Sequence, residues 1–192
     1  MKPHWRLLLV AAAAATLSAC GHSPPTQLFV LNSQPPAART PYGGPPIQVR
    51  AVHLPPQFDR PDIISDSASG AVKTRTFAQW AAPVGELAQN TLTADLTARL
   101  PEGKVIFPDA PTPPGTVLLS VDVLEAHISG GGGTAQASWS VLTPGPRPGA
   151  PSAVTSHAAR LSVEARGAGP AADAEALGRL LAMLADQIAR NL

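Results

Sequence analysis

The feature that most constrains this chain is an apolar run near its start, closed by its single cysteine. Lys2, His4 and Arg6 precede Leu7-Leu8-Leu9-Val10 and the Ala11 to Ala15 run, and Leu17-Ser18-Ala19-Cys20 ends the stretch. A basic lead, a short apolar centre and small residues make a secretory signal, too short to span a bilayer comfortably. The folded body must therefore be built from the residues beyond Cys20. A lone Cys excludes a disulfide framework within the chain and any cysteine-based metal cluster. The 22 Pro and 16 Gly make up about a fifth of the 192 residues, which fits one small domain with several stiff loops. Setting aside Lys2 and Arg6 leaves 12 basic residues of the 14, against 13 acidic. That balance argues against nucleic acid as a partner, because phosphate binding needs clustered positive charge.

Leu17-Ser18-Ala19-Cys20 resembles the bacterial lipoprotein box, with a small residue before Cys and Leu three positions upstream. The resemblance implies removal of residues 1–19, a diacylglycerol on the Cys20 thiol and an acylated amino group, palmitate being one such chain. One acyl chain gives marginal binding, and two or three make the attachment durable. Gly21 follows Cys20 where the inner-membrane retention signal of enteric bacteria has Asp. By that likeness the destination is the periplasmic face of the outer membrane. Residues 20–27 form a lipidated tether, and residues 28–192 the domain. Leu28-Phe29-Val30-Leu31 is expected to be a short buried strand. It lies so close to the anchor that the body should sit against the membrane.

Beyond a Pro-rich spacer, Ile47 to Val52 alternates as a strand. Asp62 to Ser65 and Ala71 to Arg75 form two further short strands. Pro83 opens a helix whose stripe runs Val84, Leu87, Ala88, Leu92, Leu96 and Leu100 until Pro101 stops it, with Gln89, Asp95 and Arg99 off the stripe. Val105 to Phe107 is a brief strand. Val117 to Ile128 and Thr134 to Leu142 are long alternating strands around the Gly130 to Gly133 turn, and Thr155 to Ala165 comes next. Asp173 is a candidate N-cap for a last helix with Leu177, Leu180, Leu181, Leu184 and Ile188 on one side. The order predicts an α+β single domain, with two amphipathic helices on one face of a mixed, mostly antiparallel sheet.

No catalytic constellation emerges. Gly130 to Gly133 lacks the Lys-Ser/Thr of a phosphate loop and precedes a strand. His53, His127 and His157 share no metal-ligand spacing. Asp59, Asp62 and Asp66 flank Arg60 in a Pro-bounded turn, which favours a solvated, salt-bridged loop over acid–base work. No Gly-x-Ser-x-Gly elbow is present. The expectation is a protein that is not an enzyme and needs no cofactor and no metal.

Several segments together resemble the ABC-type transport auxiliary lipoprotein family, the PqiC-like outer-membrane lipoproteins. Leu28 to Leu31 looks like its opening strand, and Val52-His53-Leu54-Pro55-Pro56-Gln57-Phe58-Asp59-Arg60-Pro61-Asp62-Ile63-Ile64 resembles its V-x-L-P-x-x-L-D-R-P-Q-I-V segment. Trp80-Ala81-Ala82-Pro83-Val84, Trp139 and the apolar C-terminal helix complete the likeness. Phe58 stands in place of the usual Leu, and Gln79 where Arg commonly precedes the Trp. The resemblance implies a non-enzymatic subunit of a lipid-transport system that helps maintain membrane integrity. Its partners would be an MCE-domain periplasmic protein and an inner-membrane permease with ATPase subunits. Leu54, Asp59, Arg60, Asp62 and Trp80 are the candidate partner-binding residues, with Gly130 to Gly133 as a second rim loop. A homo-oligomer is compatible with this picture, as is a monomer. The alternatives are a lipid-binding carrier with a groove between helices and sheet, and an assembly- or secretion-associated lipoprotein.

Overall fold

A computed structural model describes residues 24–36, 38–66, 70–145, 147 and 150–192. The signal and Cys20 lie outside these described residues. The elements, in chain order, are β1 (Gln27–Phe29), β2 (Ile47–His53), a single 3-10 turn (Pro56–Phe58), β3 (Asp62–Asp66), β4 (Val72–Trp80), α1 (Val84–Arg99), β5 (Val105–Ile106), β6 (Val117–Ser129), β7 (Gly132–Thr143), β8 (Ala153–Val163) and α2 (Pro170–Arg190).

The fold is α+β. The strands divide into a five-stranded sheet, ordered β5-β2-β6-β7-β8, and a three-stranded sheet, ordered β1-β4-β3. The long ladders β6/β7 and β7/β8 are antiparallel, whereas β2 runs parallel to both β5 and β6, and β1 parallel to β4. Parallel neighbours need a long crossover, and α1 lies in the one that joins β2 to β5. Val117, Leu119, Val121 and Val123 of β6 are buried, and so are Ala135, Ala137, Trp139 and Val141 of β7. Period-2 alternation therefore turns one apolar face toward the helices. α2 covers it with Leu177, Leu180, Leu181, Leu184 and Ile188, each at most 3 % exposed.

Four expectations are corrected. α1 has no exposed polar side at Asp95 and Arg99: both are buried, at 0 % and 2 % exposure, because α1 packs against α2 as well as the sheet. β4 runs to Trp80 rather than ending at Arg75, so Trp80 closes a strand. Asp173 does not cap α2. Gly169 holds that position, Pro170 fills the first turn, and the Asp173 carboxylate instead accepts from the Gly131 N–H at 3.0 Å and pairs with Arg75 Nη2 at 3.4 Å.

The fourth correction concerns Leu28 to Leu31. Leu31 is buried and Phe29 packs against the core, but Leu28 and Val30 are 66 % and 51 % exposed. The stretch alternates between core and solvent instead of being buried throughout.

The glycine run is also less of a rim than its composition suggests. Gly130 and Gly131 make a two-residue hairpin turn with φ of 60° and 68°, the left-handed pair that such a turn demands. Gly131 and Gly132 are buried. A Cβ on Gly131 would meet the Ala172 Cβ at 2.8 Å, so this turn is packed beneath the start of α2.

Candidate functional site

A groove of about 920 Å³ opens where the C-terminal end of β2, the 3-10 turn, the end of β4 and the start of α1 meet. Its geometry begins with a bulge. Val49 pairs with Leu119 and Ala51 with Ser120, which leaves Arg50 as an extra residue in β2. Such an insertion bends the strand and re-aims its side chains. Gln89 of α1 donates Nε2 to the carbonyls of Val49 and Arg50, at 3.0 Å each. The bulge is thereby fixed to the helix, and Arg50 stands exposed in the groove wall.

Pro55 and Pro56 cannot extend β2, because they offer no N–H to a ladder. The chain turns instead: the N–H groups of Phe58 and Asp59 donate to the Pro55 and Pro56 carbonyls at 2.9 and 3.0 Å. Phe58, 2 % exposed, anchors this turn in the core, so the Phe standing for the family's Leu keeps an apolar plug there. Asp59 and Arg60 are left on the surface. The Trp80 N–H donates to the Pro61 carbonyl at 2.7 Å, and the Ala81 N–H to the Phe29 carbonyl at 2.8 Å. Segments distant in the chain are thus tied edge to edge.

Of the five sequence-derived candidates, Leu54, Asp59, Arg60 and Trp80 line the groove. Trp80 does so from the core, with only 7 % of its surface exposed. Asp62 does not line it. Its Oδ1 accepts from Gln79 Nε2 at 3.1 Å, next to the groove but on the outward face of β3 and β4. Sequence reasoning missed Arg50, His53, Glu86 and Gln89, which also line it. The alternation of β2 marks Arg50 as outward, but nothing local places α1 beside it.

Chemically the groove is an apolar floor of Leu54, Pro56, Trp80 and Val84 with a rim of mixed charge from Arg50, Arg60, Asp59 and Glu86. An arrangement of this kind suits an apolar anchor side chain with charged neighbours, the usual anatomy of a protein contact. Among the described residues no group of three or more His, Cys, Asp or Glu is placed to hold a metal. Among the same residues, no helix is long and apolar enough to cross a membrane.

The model of the ABC-type transport auxiliary lipoprotein component matches residues 29–189, most of the chain. The chain belongs to this family. Membership makes it a lipoprotein-type accessory of an ABC-type transport system and implies a membrane-associated location. No curated protein matches the chain. Among solved structures, the family fold recurs in an uncharacterized protein at 17 % identity, with a TM-score of 0.66, covering 88 % of this chain and 99 % of that one. It recurs again in a Xanthomonas campestris protein of the DUF330 family at 14 % identity, with a TM-score of 0.63, covering 85 % and 93 %. At such identities the likeness concerns the fold alone.

Proposed function

We propose that this family member is acylated at Cys20 and held on the periplasmic face of the outer membrane. There it docks the MCE-domain periplasmic subunit of an ABC-type lipid transporter, with its inner-membrane permease and ATPase, and so helps maintain membrane integrity. Its role is positional: it performs no reaction and takes no cofactor.

One observation carries the reading. The two segments that most resemble the auxiliary lipoproteins, residues 52–64 and 80–84, converge on a single groove. A tethered body of this size has a radius of gyration of about 15 Å and cannot cross a periplasm alone, so a spanning partner must meet it. The carrier alternative gains no such support. The apolar space between α2 and the sheet amounts to about 10 Å³, room for a water at most and far short of an acyl chain.

The test is recovery of the MCE-domain subunit and permease with the affinity-tagged, lipidated chain. Arg60→Glu should reduce recovery at least tenfold, while Asp62→Lys, outside the groove, should leave it near wild type. Full recovery with Arg60→Glu would remove the groove as the docking surface.

A further inference from the structure

The outward face of the three-stranded sheet carries apolar side chains that the docking groove does not use. Leu28 stands opposite Gln79 in the parallel β1/β4 ladder, with Phe29 opposite Trp80 and Gln27 opposite Ala78. Ala78 and Trp80 turn into the core, so Phe77 and Gln79 turn out. Phe77, two residues before the partner of Leu28, therefore shares its face. Val30 continues the outward alternation. Leu28, Val30 and Phe77 are 66 %, 51 % and 44 % exposed. Phe107, Leu124 and Val154 are exposed too, but they sit on three separate segments, just after β5, on β6 and on β8, and scattered apolar residues are ordinary on a protein surface.

What sets the first group apart is its place in the chain. Only residues 21–27 lie between Cys20 and Leu28, a reach of at most about 28 Å when fully extended. Pro24 and Pro25 stiffen that short connection. On β4, Lys73 is exposed, a cation suited to anionic headgroups, whereas the Arg75 side chain, 37 % exposed, is already paired with Asp173. Asp62 at the other edge of this face has its carboxylate engaged by Gln79, and Glu175 of α2 borders Leu28 and Val30.

We propose that this face, with Leu28, Val30 and Phe77 leading, lies on the phospholipid surface that holds the acyl anchor. The proposal deepens the reading above and rests on acylation of Cys20. It fixes the orientation of the body: β1 and β4 face the bilayer, and the ends of β6 and β7 near Leu118 and Leu142 point away. Ser65 of β3 bonds to the Ile128 carbonyl, ten residues along β6 from Leu118, or about 33 Å of strand.

The test uses the full lipidated chain. With Cys20 acylated, a second cysteine is the sole free thiol, and an environment-sensitive fluorophore can be placed at Leu28→Cys, Phe77→Cys or Val154→Cys. Val154 pairs with Leu142 and serves as the distal control. In vesicles of phosphatidylethanolamine and phosphatidylglycerol, labels at 28 and 77 should shift to the blue and be quenched several-fold by spin-labelled lipid chains, while the label at 154 stays solvent-like. Intact mass and vesicle flotation are measured in parallel. Solvent-like labels at 28 and 77 on a protein that floats and carries diacylglyceryl mass would overturn the proposal and leave the anchor standing. Blue-shifted labels that lipid-borne quencher does not reach would overturn it in favour of a protein covering. Absence of the lipid mass and of flotation would overturn the Cys20 reading, and the proposal with it.

Discussion

Arg99 Nε donates to Asp186 Oδ1 at 2.6 Å, joining the last turn of α1 to α2 across 87 residues of chain. The same guanidinium donates Nη1 to the Asp95 and Gln34 carbonyls at 3.0 and 3.2 Å and lies 3.4 Å from Asp95 Oδ1. A cation only 2 % exposed is tolerated because Asp95 and Asp186 are fixed by the helices it connects and Gln34 is held by its own N–H bond to Asp95. Removing one member of a buried pair leaves an uncompensated charge, at about 3–5 kcal/mol. Arg99→Met should therefore lower the stability measured by urea titration by about that much. A loss below about 1 kcal/mol would mean that the helices hold together without this contact.

Asp95 sets a pH dependence. Burial pushes its carboxyl above the ordinary value of 3.8, against the opposing hydrogen bonds from the Ser33 hydroxyl and the Gln34 N–H and the charge of Arg99. Both hydrogen bonds, 2.8 Å each, go to Oδ1, and Oδ2 has no partner among the described residues. Between 3.8 and the raised value, the folded state binds more protons than the unfolded chain. This group's contribution to stability therefore declines as pH climbs through that window and is level above it. Asp95→Asn keeps an acceptor for Ser33 and Gln34 and should remove that component of the slope. Denaturant titrations from acid to neutral pH measure it, and an unchanged slope in the variant would contradict the assignment.

Gly131 and Gly130 should respond differently to alanine. Both have positive φ, which costs a side chain about 1–2 kcal/mol. Only at Gly131 would the new Cβ also meet Ala172 at 2.8 Å and the Gly167 carbonyl oxygen at 3.1 Å. Gly131→Ala should lose more stability than Gly130→Ala by about 1 kcal/mol or more, read as the difference between their thermal midpoints. Equal losses would show that the α2 start yields freely.

Trp80 and Arg60 line one groove but serve different ends. Trp80 is core, so Trp80→Ala should cost about 3–5 kcal/mol. Arg60 is exposed on a turn already held by backbone bonds, and Arg60→Glu should stay within about 0.5 kcal/mol of wild type. Thermal melts of the two variants check both values. A strongly destabilised Arg60→Glu would mean that any loss of partner recovery reports folding rather than docking.

Much of this molecule is legible in its residues. The alternation from Val117 to Val123 and from Ala135 to Val141 marks the central ladder with its buried face. The leucine stripes mark both helices. The Pro-bounded turn at residues 55–61 and Trp80 lead to the groove. The unread parts depend on distant neighbours. Asp95 and Arg99 look solvent-facing on a helical wheel, since it takes α2 and the distant Ser33–Gln34 segment to make that side interior. Asp173 looks like a cap, since its true partner Gly131 lies 42 residues upstream. The split into two sheets comes from β4 pairing with β1 and β3 alone, and the β3/β4 register breaks between Asp62 and Ile64, an irregularity without a local signature. Leu28 and Val30 show why a run of four apolar residues does not establish burial: an edge strand has two faces, and only one meets the core.

The groove itself is where the docking account can be tested most directly. A photo-crosslinking side chain in place of Leu54, in the lipidated chain expressed with its transporter, should yield an adduct containing the MCE-domain subunit. Adding Arg60→Glu should abolish that adduct. With both proteins present at normal levels and the chain still membrane-bound, absence of the adduct, or an adduct that Arg60→Glu leaves undiminished, would contradict the account.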